Sequence, residues 1–243
     1  MISELNFSHG QRLAFCADIH IEHDDSPLST QFKQITSTLC QDADALIILG
    51  DLFHLWVSPL CARRFNQTLT HLQDLGQHCR IYFMPGNRDF LIPGEVLQAY
   101  NIHKLSDPCV LNHAEVRYLL SHGDQFCIHD TGYQRLRKII QNDFFYRFFN
   151  LLPYSWRDTL AHYLRQHSQT STPRKTTWQM DACPSTVRSW LQRYDCHTCI
   201  YGHVHALRDD HADANLSRIV LDSWQHQLNY LVIDDEGPKL QTC

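Results

Sequence analysis

The sequence lacks any run of about 18 apolar residues, so we predict no helix that spans a membrane. Long basic runs are also missing and the formal net charge is −5, so bulk electrostatics do not indicate a nucleic-acid partner. The chain contains no internal repeat and no low-complexity tract. Its 243 residues are enough for one α/β domain with a sizeable core, or for a domain with a large insertion.

We predict no export signal either, because the first ten residues are polar and lead directly into a strand-like segment. We therefore interpret the ten cysteines as reduced, mostly buried side chains of a protein in a cytosolic compartment. Cys196 and Cys199 have the CxxC spacing of redox and zinc sites, but the chain lacks a second CxxC. Their position at the start of a predicted strand favours a structural role.

The first third of the chain alternates apolar runs with amphipathic segments. Short apolar runs at 12–17, 45–49 and 80–84 predict buried strands, and the segments 28–40 and 59–75 between them predict helices. This β-α-β-α-β order favours parallel strands joined by right-handed crossovers. A functional site is then expected at the C-terminal edge of the sheet.

The rest of the chain predicts further strands around a helical insertion. Residues 110–111 and 116–120 are expected to pair through a turn. Residues 217–221 and 228–233 are expected to close the domain as two antiparallel-type strands. The other predicted elements are helices at 94–100 and 180–194 and a strand at 197–201.

The segment 130–167 is predicted to be helical and contains a dense aromatic block at 144–156. One interpretation of this block is a helical hairpin that packs on the main core. The other is a lid that offers an apolar chamber to a lipid. The sequence by itself leaves both interpretations open. Residues 168–177 are rich in Ser and Thr and are expected to form a mobile loop.

Polar residues follow five of the predicted strands, at the point where each strand ends. They are Asp18, His20, Asp51, Asn87, His122, His203 and His205. A lone pair such as His203 and His205 is equally compatible with chance or with a structural role, because 17 residues of the chain are histidines. Five such loops, in an order compatible with α/β topology, instead predict one shared metal site.

The predicted ligands offer carboxylate or amide oxygens and imidazole nitrogens, without thiolates. This donor set suits Mn²⁺, Fe²⁺ or Zn²⁺ and argues against a structural cysteine-zinc site. Seven ligands are too many for one catalytic metal that keeps an open position, but they suit two metals if one carboxylate bridges. A site with two metals can clamp a phosphate and hold an ionised water for in-line attack on phosphorus.

The same residues belong to longer motifs, which resemble those of the calcineurin-like metallophosphoesterase superfamily: Asp18-x-His20, Gly50-Asp51, Gly86-Asn87-Arg88-Asp89, His122 and Gly202-His203-x-His205. Most members have His where this chain has Arg88. The Asn-Arg-Asp version is similar to the branch of the superfamily that hydrolyses UDP-2,3-diacylglucosamine in lipid A synthesis. The similarity covers residues 13–234 and includes Gly50-Asp51-Leu52-Phe53, Asn87-Arg88-Asp89-Phe90-Leu91, His122-Gly123-Asp124 and Tyr133-Gln134.

The resemblance implies an α/β fold in which a β-sheet sandwich is flanked by helices and carries a helical lid insertion. The whole chain, 1–243, is then a single metallophosphoesterase domain, with the lid at 130–178. The resemblance also implies two Mn²⁺ ions per chain. One would be held by Asp18, His20 and His205 and the second by Asn87, His122 and His203, with Asp51 as the bridge.

The implied reaction is attack of a metal-activated water on the α-phosphorus, which gives UMP and 2,3-diacylglucosamine 1-phosphate (lipid X). The catalytic residues implied are Asp51, Asn87 and Arg88. The substrate contacts implied are Asn87, Arg88, Asp130, Ser168, Thr172, Lys175 and His203. Because the substrate is a lipid-linked nucleotide sugar, the enzyme is expected in the cytoplasm, peripheral on the inner membrane.

Some residues near the motifs depart from the family pattern. Thr172 stands where the family usually has Asn, and Ala206-Leu207 stands where it usually has Arg-Pro. His129-Asp130 replaces two acidic residues. No metal ligand is lost, which argues against a non-catalytic binding module. An alternative within the enzyme class is a related phosphoesterase that acts on another nucleotide diphosphate or on a phosphomonoester.

Overall fold

The computed structural model describes most of the chain: residues 2–140, 142, 145, 149, 151–153, 156–157, 159, 176–213 and 216–242. The strands in these residues are β1 Ser3–Phe7, β2 Leu13–Cys16, β3 Ala45–Ile48, β4 Arg80–Phe83, β5 Ile102–Lys104, β6 Cys109–His113, β7 Val116–Leu120, β8 Thr198–Tyr201, β9 Arg208–Asp213, β10 Leu216–Val220, β11 Asn229–Asp234 and β12 Gly237–Thr242. The α-helices are α1 Pro27–Asp42, α2 Cys61–Arg64, α3 Asn66–Leu75, α4 Gly94–Ala99, α5 Thr131–Ile140, α6 Thr177–Met180 and α7 Pro184–Tyr194.

The strands form two six-stranded mixed sheets. One sheet has the order β1-β6-β7-β8-β10-β9, and the other has the order β12-β11-β2-β3-β4-β5. In the second sheet, β2, β3 and β4 are parallel, as the β-α-β-α-β pattern predicts, and β5 continues the parallel pairing. In the first sheet, β8 is parallel to both of its neighbours, β7 and β10.

Alternation of side chains along the strands builds the layers of the fold. In β2, Leu13 and Phe15 face the core between the two sheets, whereas Ala14 and Cys16 face the helices, and β3 repeats this pattern. Helices α1 and α3 cover the outer face of this sheet, and α7 covers the outer face of the other. Because the central strands are buried on both faces, they read as short continuous apolar runs. The fold is the α/β sandwich flanked by helices that the resemblance implies.

The four strands that the sequence pattern does not predict are β1, β5, β9 and β12. All four lie at the edges of the sheets. An edge strand is open to solvent along one side, so it has no need of a continuous apolar run. Strand β9, with the sequence RDDHAD, is the clearest case, because five of its six residues are polar or charged. Apolar periodicity therefore identifies only the interior strands.

Three predicted elements take a different form. The segment 59–75 is divided into α2 and α3, and the segment 180–194 is interrupted before α7, where Pro184 occupies the first helical position. Strands β10 and β11 do not pair with each other. Instead β10 lies antiparallel to β9 in one sheet, and β11 lies antiparallel to β2 and β12 in the other.

The insertion contains residues that fit each of its two interpretations. Phe149 is only 2% exposed and packs in the core beside the second sheet, as a hairpin packed on the core predicts. By contrast, Leu151 is 84% exposed and Trp156 is 66% exposed. Such side chains are available to an apolar partner. Within the described residues, no helix is both long and apolar enough to cross a membrane.

The described cysteines are all free thiols, and most of them are buried. Cys199 lies inside β8 and faces α7, while Cys196 packs at the edge of the same cluster. The CxxC spacing thus falls across the start of a strand, as the structural interpretation predicts.

Asp24 provides a stability test of the fold, because it fixes the start of α3. Its buried carboxylate accepts hydrogen bonds from Gln67 N at 2.7 Å, Thr68 N at 3.0 Å and Thr68 Oγ1 at 2.6 Å. We expect Asp24→Ala to lower the free energy of unfolding by about 2 kcal/mol, as measured by urea denaturation. Asp25→Ala, at the exposed neighbouring position, is the control and should change it by less than about 0.5 kcal/mol. Equal effects of the two variants would contradict this role.

Candidate metal centre

The polar loops that follow β2, β3, β4, β7 and β8 lie together at one edge of the sandwich. Backbone hydrogen bonds continue past the strand ends and hold these loops side by side. Asp18 N donates to Gly50 O at 3.1 Å, and His20 N donates to Asp51 O at 2.9 Å. A similar bond joins the loop after β8 to the loop after β7. Parallel pairing therefore brings ligands that are distant in sequence to one place.

Asp18, His20 and His205 bring three donor atoms to one point. Asp18 Oδ1 lies 3.8 Å from His20 Nε2 and 3.5 Å from His205 Nε2, and the two nitrogens are 3.4 Å apart. Two donors that each lie about 2.1 Å from a tetrahedral cation are roughly 3.4 Å apart, so this spacing fits a divalent metal. Among the described residues, Asp18 Oδ1 is buried without a hydrogen-bond partner, and a cation would satisfy it.

A second group of donors contains Asp51, His122 and Asn87. His122 Nε2 lies 3.9 Å from Asp51 Oδ1 and 3.1 Å from Asn87 Oδ1. One oxygen of Asp18, one oxygen of Asp51 and one nitrogen of His122 all lie within 4.8 Å of one another. Asp51 also approaches the first group, because its Oδ2 is 3.9 Å from His20 Nδ1. The carboxylate of Asp51 thus lies between the two groups.

The backbone orients the ring of His122. A carbonyl oxygen only accepts, so the 2.9 Å contact with Leu49 O places the hydrogen on His122 Nδ1 and leaves Nε2 to face the donors. Burial lowers the pKa of His122, but the charges of Asp51, Asp18 and Asp124 outweigh burial and raise it to about 9. A cation that binds His122 Nε2 at neutral pH therefore displaces a proton.

The imidazoles of His203 and His20 are neutral at physiological pH. Burial and the nearby charge of His122 lower the pKa of His203 to about 4. Burial and Arg88 lower the pKa of His20 to about 2. His203 lies beside both groups of donors. Its backbone N–H donates to Asp18 Oδ2 at 2.7 Å, and the centroid of its ring is 5.1 Å from that of His122. Neutral imidazole is the form that binds a metal.

The two buried carboxylates differ in how their pKa values respond to the site. Burial acts to raise the pKa of both. At Asp18 the neighbouring imidazoles of His205, His122 and His20 outweigh burial and hold the pKa below its ordinary range. At Asp51 burial prevails, and the pKa is raised. A cation at this edge would stabilise the charged form of both carboxylates.

Asp89, the last residue of the Gly-Asn-Arg-Asp motif, supports the site without belonging to either group of donors. Its carboxylate is fully buried and accepts hydrogen bonds from Gly86 N at 2.8 Å, Phe53 N at 3.2 Å and Asp51 N at 3.4 Å. Burial and the charge of Asp51 raise the pKa of Asp89 to about 7. Asp89 therefore fixes the loop after β3 against the loop that carries Asn87.

Five of the seven predicted ligands have a left-handed backbone conformation. The φ angle is 53° at Asp18, 59° at His20, 53° at Asp51, 67° at His203 and 48° at His205. Each such residue costs about 1–2 kcal/mol relative to a right-handed conformation. Strained backbone conformations are concentrated at functional sites. Here five of them belong to residues that carry donors at the same edge of the sandwich.

Two glycines allow the backbone to pass close to the carboxylates. A Cβ atom on Gly202 would collide with the carboxylate of Asp18, and one on Gly86 would collide with that of Asp51. Only glycine fits these two positions while the carboxylates keep their places. The glycine of each motif is therefore part of the geometry of the site.

The structure describes only some of the predicted substrate contacts. The backbone N–H of Arg88 donates to Asp51 Oδ1 at 2.9 Å. The side-chain Nε of Arg88 lies 3.5 Å from Asp51 Oδ2, and the side chain is 29% exposed. Asp130 precedes α5, and its Oδ1 accepts a hydrogen bond from Tyr133 N at 3.1 Å, as a helix cap does. The predicted contacts outside the described residues are Ser168, Thr172 and Lys175.

The loop after β10 supports the site as well, and its residue types give no sign of this role. Ser223 Oγ and Trp224 N both donate to Asp18 O, each at 3.2 Å. The ring centroid of His226 lies 5.8 Å from that of His205. The available signal in the sequence is position alone, because this loop also follows a buried strand.

The fold and the site together define a class of protein. The family model described as calcineurin-like phosphoesterase matches residues 11–207, which include all seven predicted ligands. The chain belongs to the calcineurin-like phosphoesterase family. Family membership and the two groups of Asp and His donors indicate that the protein uses a divalent metal.

Curated relatives share nearly the full length of the chain. A protein of Shewanella sp. (strain MR-4) is 33% identical over 232 residues, which are 95% of this chain and 97% of the relative. A protein of Stutzerimonas stutzeri is 33% identical over 226 residues, 91% of this chain and 94% of the relative. A protein of Aeromonas hydrophila is 34% identical over 226 residues, 90% of this chain and 92% of the relative. All three relatives are named UDP-2,3-diacylglucosamine hydrolase.

The close approach of Gly202 to Asp18 generates a testable prediction. In Gly202→Ala the new methyl group must displace the Asp18 carboxylate, so we expect Mn²⁺ affinity to fall by about 10–100-fold in calorimetric titration. Gly94→Ala is a matched control, because a Cβ there meets no atom within 4 Å. Far-UV circular dichroism should show that both variants are folded. Unchanged Mn²⁺ affinity in Gly202→Ala would contradict the placement of Asp18 at the metal.

Proposed function

We propose that this protein hydrolyses UDP-2,3-diacylglucosamine by attack of water on the α-phosphorus, which gives UMP and 2,3-diacylglucosamine 1-phosphate (lipid X). The observation that carries the proposal is the convergence of seven oxygen and nitrogen donors at one edge of the sandwich. The spacing of these donors fits a divalent metal, and a divalent metal activates water for attack on a phosphoanhydride at neutral pH. The names of the full-length relatives support the choice of substrate.

In this proposal the site takes two Mn²⁺ ions. Asp18, His20 and His205 would hold one ion, and Asn87, His122 and His203 would hold the other, with Asp51 contributing to both. The support for this division is that the Asp51 carboxylate faces His20 on one side and His122 on the other. Oxygen and imidazole donors without thiolates agree with Mn²⁺. When bound, the ions supply Lewis-acid activation of the phosphate and of the attacking water.

Around the metals, the chain's own residues orient the substrate. Arg88 contributes a fixed positive charge next to the Asp51 carboxylate, and its side chain is 29% exposed, which leaves it accessible to a substrate. A guanidinium fork suits the charge that develops on phosphate oxygens in the transition state. Asn87 offers its Nδ2 to the phosphate while Oδ1 faces the metal side. His203 lies against the substrate.

In this proposal the insertion, 130–178, binds the acyl chains and the sugar of the substrate. Exposed apolar side chains such as Leu151 and Trp156 provide an apolar surface of the kind that acyl chains require. Asp130, Ser168, Thr172 and Lys175 contact the sugar and the phosphate. The enzyme works in the cytoplasm, peripheral on the inner membrane, from which it collects its two-tailed substrate.

The proposal is tested by a UMP-release assay. With Mn²⁺, the purified protein should release UMP from UDP-2,3-diacylglucosamine, and a chelator should abolish the release. Asp51→Asn removes the bridging charge, so we expect activity to fall below detection, whereas the exposed Asp25→Asn should match wild type. A metal-loaded protein that leaves this lipid intact but cleaves a soluble nucleotide diphosphate or a phosphomonoester would contradict the substrate and favour a related phosphoesterase.

Arg88 gives a second prediction for the same reaction. Arg88→Ala should cost about 2–4 kcal/mol of transition-state stabilisation, seen as a lower kcat with little change in KM. Arg88→Lys keeps the charge but loses the fork, so it should recover only part of the rate. The exposed Arg63→Ala serves as the control. An unchanged kcat in Arg88→Ala would remove the proposed role.

A further inference from the structure

Helix α5 begins the insertion, and it is attached to the domain in an unusual way. None of its ten residues is fully buried, so apolar packing does not fix the helix firmly against the sandwich. An amphipathic helix normally gains most of its stability by burying one apolar face. The position of α5 must therefore depend on other contacts.

Those contacts converge on Asp124, two residues after His122. Asp124 is 1% exposed, and its Oδ2 accepts hydrogen bonds from Tyr133 Oη at 2.7 Å and from Arg137 Nε at 2.7 Å. Its backbone oxygen accepts a further bond from Gln134 Nε2 at 2.8 Å. Three side chains of one helix thus meet one buried residue of the metal-site loop.

We infer that Asp124 is a positioning residue that holds α5 against the histidine loops, and that this clamp sets the place of α5, where the insertion begins, relative to the metal centre. Asp124 touches neither group of donors in its proposed role and acts through the helix. The inference rests on the proposed function, because it assigns the insertion to the acylated part of the substrate. We call Asp124, Tyr133 and Arg137 the clamp.

The geometry connects the clamp to the metal site at two points. Gly123, with φ of 110°, turns the chain directly after His122, so Asp124 and His122 are fixed by one tight loop. On the other side, the ring of Tyr133 lies on that of His203, with 5.7 Å between centroids. The clamp therefore places the start of α5 beside a predicted ligand, while no atom of α5 belongs to either group of donors.

The ion pair of the clamp explains why α5 is held in one position. A carboxylate this deeply buried is costly unless it is paired and hydrogen-bonded. The Arg137 side chain is only 17% exposed, so solvent screens the pair weakly. Moving α5 away would leave the Asp124 charge buried without its cation. The helix is consequently held in one place by a polar contact and not by a broad apolar face.

The clamp is tested by Arg137→Gln, which removes the charge at the helix and leaves Asp124 intact. We expect KM for UDP-2,3-diacylglucosamine to rise about tenfold. Hydrolysis of the small diester bis(p-nitrophenyl) phosphate should change by less than about twofold, because that substrate needs only the metals. Arg137→Lys should restore most of the KM. The exposed Arg135→Gln, on the same helix, is the matched control and should resemble wild type for both substrates.

Two outcomes would overturn the inference. One is an Arg137→Gln variant that is indistinguishable from Arg135→Gln on the lipid substrate. The other is an equal loss on both substrates, which would mean that the ion pair supports the whole fold. Tyr133→Phe keeps the ring on His203 but removes one hydrogen bond to Asp124, so it should raise KM for the lipid by a smaller factor than Arg137→Gln.

A measurement that does not depend on the substrate separates this inference from the proposed function. Amide hydrogen exchange of the Mn²⁺-loaded protein should be faster at residues 131–140 in Arg137→Gln than in Arg135→Gln, with the strands unchanged. Equal exchange in both variants would refute the clamp. Should the wild type fail to cleave the lipid while α5 loses protection in Arg137→Gln alone, the substrate would be wrong and the clamp would stand.

Discussion

The structure depends on one electrostatic constraint: two buried carboxylates must lie side by side. Asp18 and Asp51 are almost fully buried, and their oxygens lie within 4.8 Å of each other. At an effective dielectric constant of about 20, two like charges at this distance repel by roughly 3–4 kcal/mol. A divalent cation between the two carboxylates attracts both of them and outweighs their mutual repulsion. The left-handed backbone conformations and the close approach of Gly202 and Gly86 hold the two carboxylates in this arrangement.

The fold meets this constraint by extending its most regular feature. The central parallel strands continue to pair through the backbone after their last residues, as shown by the bond from His20 N to Asp51 O. Asp89 then binds three backbone N–H groups of the adjoining loops. The donors therefore lie on loops that hydrogen bonds join to one another, as a site that must keep its geometry requires. The insertion is different, because α5 is joined to this edge mainly by the polar contacts of Asp124.

Prediction from the sequence succeeded or failed according to burial. The strands β2, β3 and β4 were predictable because both of their faces are covered, which makes them continuous apolar runs. The apolar pattern does not predict the edge strands β1, β5, β9 and β12, because one side of each is open to solvent. Residues of the site were likewise predictable only in part. Asp18 and His205 carry recognisable donor groups, whereas Ser223 and Trp224 bind Asp18 only through its backbone oxygen and could not be identified from residue type.

The sequence by itself determined which donors are present and that each follows a strand, because strand ends and ligand chemistry are both local properties. It also determined the family, since the motifs around Asn87 and His203 are short and continuous. Only the tertiary structure decided the distances from the Asp51 carboxylate to His20 and His122, and that Gly202 must be glycine. The physical reason is that each of these facts is a distance between residues far apart in the chain, and pairing of the strands sets such distances.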